Sequence, residues 1–283
     1  MKKYSFQVIA WLLCVLMAVP SYAQFGGNFG RIKGAIEQGA KKNEIEKEKK
    51  EAEKKAEEEA VKGQGVVYYV SAAGSARADG KSPDKAKKDL QAVLNLIRDN
   101  GENGAVIRIA EGNYLGYMNS GYVEIYNFVT LEGGWNASFT ERNPLKYITK
   151  MEPTQEQLGS NGSKGVIHTN RALDDVMAKK PKGTLVIDGI FINLGFENVY
   201  KPADPSDPKF GCPSKAFETG RIEDAIPPQV EHQIFHSDGW IAGNVIIRNC
   251  VFANGVYFAL QFGNRCGEVE ICNNVFISNR YGA

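Results

Sequence analysis

The sequence predicts an all-β chain folded as a parallel β-solenoid, and three observations support this. A segment beginning at Val245 recurs 24 residues later, beginning at Val269. Each copy has a short strand with alternating apolar residues, a polar corner and a second short strand. No helical pattern separates the copies, so successive copies must pair strand on strand and in parallel.

The composition is that of a globular protein. The chain has 283 residues, of which 43% are hydrophobic, and its 34 Lys and Arg residues balance 33 Asp and Glu residues. This apolar content excludes wholesale disorder. Because there is no basic excess, the sequence does not predict a nucleic-acid partner.

Residues 1–23 have the pattern of a secretory signal peptide. Lys2 and Lys3 precede an apolar run from Val8 to Val19, and small residues lead to a predicted cleavage site after Ala23. The run is short for a membrane span, although a retained membrane anchor is the alternative. We therefore expect a secreted, periplasmic or cell-surface protein, without a transmembrane segment after cleavage.

Residues 24–65 form a polar leader that cannot build a core. The part from Lys41 to Lys62 consists mostly of Lys, Glu and Ala, with Glu46 and Lys50 placed to pair on a helix. We expect it to be helical or disordered. It either spaces the folded domain from an anchor or has no role of its own.

The folded domain is predicted over residues 66–283. A helix is expected over residues 82–99, with Ser82 as N-cap and Pro83 in its first turn, and its apolar stripe would cap the N-terminal end of the solenoid. Gly133 and Gly134 are expected to interrupt the chain after a strand. The apolar stripe of the helix consists of Ala86, Leu90, Val93, Leu94 and Ile97. Strands are predicted over residues 66–71, 105–110, 123–126 and 129–132.

The repeat assigns positions within the coil. Val245, Ile247 and Phe252 should point inward, as should Val269, Ile271 and Phe276. Asn249 should lie beside Asn273, and Cys250 beside Asn274. A weaker copy begins at Leu185, with a corner that reads as one residue shorter, and a still earlier one begins at Val129.

Four cysteines remain after the predicted cleavage: Cys212, Cys250, Cys266 and Cys272. An oxidising compartment permits disulfides, and four cysteines allow three complete pairings. Cys250 and Cys272 occupy opposite phases of the repeat. A bond between these two is therefore not expected.

Four motifs in the folded domain belong together: Tyr68-Tyr69-Val70-Ser71, Asp79-Gly80-Lys81-Ser82-Pro83, Ile107 to Tyr114 and Val129 to Asn136. Together they resemble bacterial secreted proteins of the pectin-lyase-like superfamily. The resemblance implies a right-handed parallel β-helix. It is less specific for activity, because that superfamily includes lyases, hydrolases, esterases and adhesins. Trp240-Ile241 begins like a pectate-lyase motif but lacks its Asp-His, so we interpret Trp240 as structural.

Polar residues suggest candidate sites. His236 and Asp238 share a strand face and suit acid–base work, while His232 and His236 would share a helix face and could hold a metal. Asp188 is a candidate calcium ligand, with a turn residue as the alternative. The resemblance makes Arg265 a candidate base, with a solvated surface charge as the alternative. Sugar-stacking candidates in the proline-rich loop are Tyr200, Phe210 and Phe217.

The predicted function is binding or processing of an extracellular polysaccharide, as a lyase or glycoside hydrolase if the protein is an enzyme, with calcium as a candidate cofactor. The alternative is a non-catalytic surface or adhesion protein in which the solenoid is a rigid scaffold. Because the last repeat before Ala283 is regular and uncapped, we also expect either further coils or a covering partner.

Overall fold

The computed structural model describes residues 41–42, 44–52, 54–55, 58, 62–154, 157, 165–194, 232–255, 258–277 and 279. The chain forms two compact units, Met1–Lys54 and Lys55–Ala283. In the first unit the described residues are helical and exposed. The Glu46–Lys50 ion pair forms there as predicted, with 3.1 Å between Oε1 and Nζ. Charge pairing one turn apart therefore supports this polar helix.

The second unit consists mainly of strands, and one α-helix is described over its whole length. This helix is α1, Leu90–Asn100. The strands are β1 (Val67–Ser75), β2 (Val106–Ala110), β3 (Gly112–Asn113), β4 (Val123–Ile125), β5 (Thr130–Trp135), β6 (Thr149–Met151), β7 (Gly165–Thr169), β8 (Thr184–Asp188), β9 (Ile190–Asn193), β10 (His232–Ile241), β11 (Asn244–Arg248), β12 (Val251–Ala253), β13 (Leu260–Asn264), β14 (Val269–Cys272) and β15 (Val275–Ile277).

The strands form three sheets whose ladders are all parallel. The first sheet has the order β1-β2-β5-β8-β11-β14, the second β13-β10-β7-β4 and the third β15-β12-β9-β6-β3. From β2 onward the chain visits the first, third and second sheets in rotation. This order fits an all-β parallel solenoid and confirms the predicted parallel stacking of the repeats.

The register of the strands agrees with the predicted alignment. Val245 pairs with Val269, and Phe252 pairs with Phe276. On the preceding coil, Val245 pairs with Leu185 and Phe252 pairs with Ile192. The two strands of that earlier copy thus keep the same register. Only Gly189 separates β8 from β9, whereas Asn249 and Cys250 separate β11 from β12, so the predicted shorter corner is confirmed.

Asparagine side chains join successive coils at the corners. The Asn274 side chain accepts a hydrogen bond from the Cys250 N–H at 2.9 Å and donates one to the Ile247 carbonyl at 2.8 Å. The predicted contact between Cys250 and Asn274 is therefore confirmed. Asn279 makes the same pair of bonds, to the Gly255 N–H and the Phe252 carbonyl. Backbone groups that the bend leaves unpaired are satisfied in this way.

Helix α1 begins later than predicted. Asp89 is its N-cap and accepts a hydrogen bond from the Ala92 N–H at 2.9 Å, whereas Ser82 makes no capping bond and precedes a separate 3₁₀ turn. Between the two, Lys87 is extended because it bridges to β1. The helix ends as expected, at left-handed Gly101 with φ 64°. Its predicted stripe is buried in the main core at Leu90, Val93, Leu94 and Ile97.

Gly133 and Gly134 do not interrupt β5, contrary to expectation. The strand continues through both residues to Trp135. A Cβ atom on Gly133 would lie 2.4 Å from the Gly189 carbonyl oxygen on the next coil. Gly134 has a φ of 85°, which favours glycine. These glycines therefore permit close packing within the strand.

Candidate functional site

His236 points into the coil. Strand β10 pairs Ile234 with Ile167 and His236 with Thr169 on β7. Like Ile167 and Ile234, Thr169 and His236 are buried. The His236 Nδ1 atom lies 2.8 Å from the Thr169 hydroxyl oxygen. His236 is therefore an interior group rather than part of an exposed groove.

Asp174 supplies the carboxylate next to this imidazole. It follows a short 3₁₀ turn, Arg171–Leu173, and its Oδ1 atom lies 2.6 Å from His236 Nε2. Both atoms are buried, and the contact is not aligned as a hydrogen bond. It becomes an ion pair when the imidazole is protonated. No sequence pattern indicates Asp174, since only folding brings it beside His236.

The other predicted partners of His236 lie on the same strand. His232 and Asp238 belong to β10, so the helical arrangement proposed for the two histidines does not form. Their side chains lie outside the described part of the structure. The described carboxylate beside His236 is that of Asp174.

Trp240 is the exposed aromatic residue of this region. It lies near the end of β10, pairs with Gly263 on β13 and is 52% exposed. A Cβ atom at Gly263 would lie 2.9 Å from the Trp240 Cε3 atom. The glycine thus leaves room for the indole to lie against the next coil while half of Trp240 faces solvent. This exposure argues against the purely structural role expected for Trp240.

Arg265 borders the same region. Its backbone N–H donates to the Ile241 carbonyl at 3.0 Å, and its Nε atom donates to the Val176 carbonyl at 3.0 Å. Both Arg265 and Val176 are exposed. The arginine thus ties the end of β10 to the loop that carries Val176 and Met177. We call Trp240, Arg265, Val176 and Met177 the Trp240 surface.

Asp188 is a buried carboxylate enclosed by cationic and amide groups. Its Oδ1 atom lies 2.6 Å from Arg142 Nη2, and its Oδ2 atom lies 2.7 Å from Arg248 Nε. Burial alone would raise the pKa of this carboxyl, but hydrogen bonds from Asn249, Arg142 and Arg248 outweigh burial and lower that pKa. A carboxylate already neutralised by two guanidinium groups does not fit calcium.

The remaining candidates are the predicted sugar-stacking residues and the cysteines. Tyr200, Phe210, Phe217 and Cys212 lie outside the described residues. Of the described cysteines, Cys250, Cys266 and Cys272 are free thiols. Burial raises the pKa of the Cys250 thiol to about 12, which makes it a poor nucleophile at neutral pH.

A polar and aromatic cluster on the outer face of the first sheet went unnoticed in the sequence. Arg108 lies over the Trp135 ring, with its Cζ atom 4.7 Å from the ring centroid. Glu132 accepts a hydrogen bond from the Trp135 indole at 3.0 Å and lies 3.3 Å from Arg108 Nε. The ion pair and the ring contact join neighbouring coils, which favours a structural role, although Arg108 Nε is buried without an aligned hydrogen bond.

Comparisons with protein-family models, with curated proteins and with solved structures found no match. Within the described residues, no helix has the length and apolar character needed to cross a membrane. The same part of the chain contains no cluster of three or more His, Cys, Asp or Glu residues suited to a metal ion.

Proposed function

We propose that the protein is exported and binds an extracellular polysaccharide at the Trp240 surface. The observation that carries this proposal is the indole of Trp240, which is supported by the next coil at Gly263 and is half exposed. The apolar face of a sugar ring gains contact and burial when it packs on an aromatic ring. Arg265 adds hydrogen-bond donors beside it.

The proposed fold is a right-handed parallel β-helix like those of the pectin-lyase-like superfamily. The rotation of the chain through three parallel sheets supports it, and parallel crossovers are almost always right-handed. We also propose that α1 caps the N-terminal end. Its support is the burial of Leu90, Val93 and Ile97 in the main core.

A second candidate function is a non-catalytic surface or adhesion protein. Two of the candidate site residues favour it, because Asp188 is clamped by two arginines and Arg265 is tied to a carbonyl of a neighbouring loop. Both residues thereby serve the fold. We therefore propose binding as the primary property, and processing by a lyase or hydrolase reaction as its extension.

The test is a panel of polysaccharides, with and without calcium, measured for binding to the wild type and to W240A. We expect at least one polymer to bind and W240A to weaken its affinity by at least about tenfold, as for an aromatic anchor. The control is Y117A, which removes another exposed aromatic side chain and should leave affinity unchanged. Unsaturated products or new reducing ends would show that the protein also cleaves the polymer. Equal binding by W240A and wild type would refute the proposed site.

A further inference from the structure

Strand β10 contains a bulge directly before Trp240. Phe235 pairs with Gln261 on β13, and the next pair along the ladder is Trp240 with Gly263. Four residues of β10 thus lie opposite the single residue Phe262. The extra residues must leave the regular ladder, and the path they take sets where Trp240 emerges.

Both ends of this bulge contact one residue, Asp174. At the first end, the Asp174 carboxylate lies 2.6 Å from His236 Nε2. At the other end, the Asp174 backbone forms an antiparallel bridge with Ile241, the residue after Trp240. The adjacent Leu173 carbonyl accepts a hydrogen bond from the Ala242 N–H at 2.9 Å. A single turn of chain therefore holds the two ends of the bulge.

Thr169 fixes the imidazole from its other side. The hydroxyl lies 2.8 Å from His236 Nδ1. A threonine hydroxyl can donate to a neutral ring nitrogen or accept from a protonated one, so this contact suits either state. The imidazole is thus contacted at both nitrogens while only 1% of its side chain is exposed. Buried this deeply, it can act on a ligand only through its neighbours.

We infer that Asp174 and His236 are positioning residues that set the bulge and thereby present Trp240 on the surface. The inference concerns the Trp240 surface and rests on the proposed function only for the identity of the ligand. The geometry itself is independent of any ligand. Removing the contact between Asp174 and His236 should displace Trp240 and leave distant parts of the solenoid in place.

The experiment follows the indole N–H signals of the full chain labelled with 15N-tryptophan. The chain contains three tryptophans, Trp11, Trp135 and Trp240, and W135F and W240F assign the last two signals. We expect D174A and H236A to shift or broaden the Trp240 signal and to leave that of Trp135, on the first sheet, unchanged. The control D175N removes the surface ion pair with Lys182 and should move neither signal.

A Trp240 signal that stays at its wild-type position in folded D174A and H236A would overturn the inference. If either alanine variant unfolds, D174L and H236F decide, because they keep a side chain of similar size but remove the polar contact between Asp174 and His236. In those variants a shift specific to Trp240 supports positioning, and no shift overturns it. Glycan binding is measured separately. If W240A binds like the wild type while D174A moves the Trp240 signal, the proposed function fails and the positioning role stands.

Discussion

At the scale of single residues, two buried polar side chains, Asp188 and His236, contact neighbouring coils. Asp188 on β8 contacts Arg248 on β11 and also Arg142, which precedes β6. His236 on β10 contacts Thr169 on β7. Burying such groups is favourable only when each has a partner, and the partners lie on neighbouring coils rather than nearby in sequence. These contacts therefore lock the register of the coils.

The Asp188 contacts predict a pH dependence of stability. Because the carboxyl pKa is lowered in the folded state from an ordinary value of 3.8, the ionised form stabilises the fold above that value. This contribution disappears as the pH falls through the lower, folded-state pKa. At pH 7 we expect D188N to cost roughly 2 kcal/mol, since two arginines lose their ionic partner.

Urea unfolding of wild type and D188N between pH 7 and pH 3 tests this prediction. The difference in the free energy of unfolding between wild type and D188N should become smaller below about pH 4. The control D175N, which removes a more exposed carboxylate, should cost less than about 1 kcal/mol at pH 7. A difference that stays constant across the range would contradict the assigned role of Asp188.

At the scale of elements, corners and caps determine where strands and the helix stop. The corner residues Asn249, Asn254 and Asn273 have φ values of 55°, 57° and 54°, a left-handed conformation that asparagine tolerates. Asn249 and Asn254 also donate side-chain hydrogen bonds to Asp188 and Asn193 on the previous coil. Asn274 uses its side chain to bond the previous coil, while the adjacent Asn273 makes the bend.

The Asn274 side chain should consequently contribute more to the stability of the fold than the Asn273 side chain. We expect N274L to lower the free energy of unfolding by roughly 2 kcal/mol, because a backbone N–H and a carbonyl lose their partners. N273G keeps the left-handed bend accessible and should change stability by less than about 0.5 kcal/mol. Chemical denaturation measures both. If N274L and N273G changed the free energy of unfolding equally, the hydrogen bonds of the Asn274 side chain would not be stabilising contacts.

The start of α1 can be tested with a similar comparison. D89A removes the side chain that caps the Ala92 N–H and should cost about 1 kcal/mol. S82A should have little effect, because the Ser82 side chain makes no capping bond. Thermal melts of the two variants suffice. A larger loss of thermal stability in S82A than in D89A would instead support the helix start at Ser82 that the sequence predicts.

At the scale of the whole molecule, burial changes along the stack of coils. Ile247 and its register partner Ile271 occupy the same repeat position, yet Ile247 is fully buried and Ile271 is 42% exposed. Phe252 and Phe276 behave likewise, at 0% and 40%. These inward positions are therefore fully buried on β11 and β12, which have a strand on either side, and partly exposed on β14 and β15, which are the last strands of their sheets.

This gradient predicts unequal effects of the same substitution. I247A should destabilise the protein by about 2–5 kcal/mol, the usual range for truncating a buried isoleucine. I271A should cost clearly less, because its side chain already contacts water. Urea unfolding compares the two variants directly. If I271A proves as costly as I247A, then Ile271 is buried in solution by something that covers the last described coil.

The sequence predicts the all-parallel β architecture, the register of the last two repeats, the residues of α1 that face the core and the Cys250–Asn274 corner contact. These follow from local periodicity and from a repeat of fixed length, which the chain expresses directly. It did not determine the start of α1, because extended pairing of Lys87 with β1 competes with helix formation. The tertiary structure alone decided that Asp174 meets His236, that Arg142 and Arg248 enclose Asp188, and that a bulge brings Trp240 to the surface. Each depends on contacts between residues far apart in the chain, and no local pattern specifies which distant groups two neighbouring coils bring together.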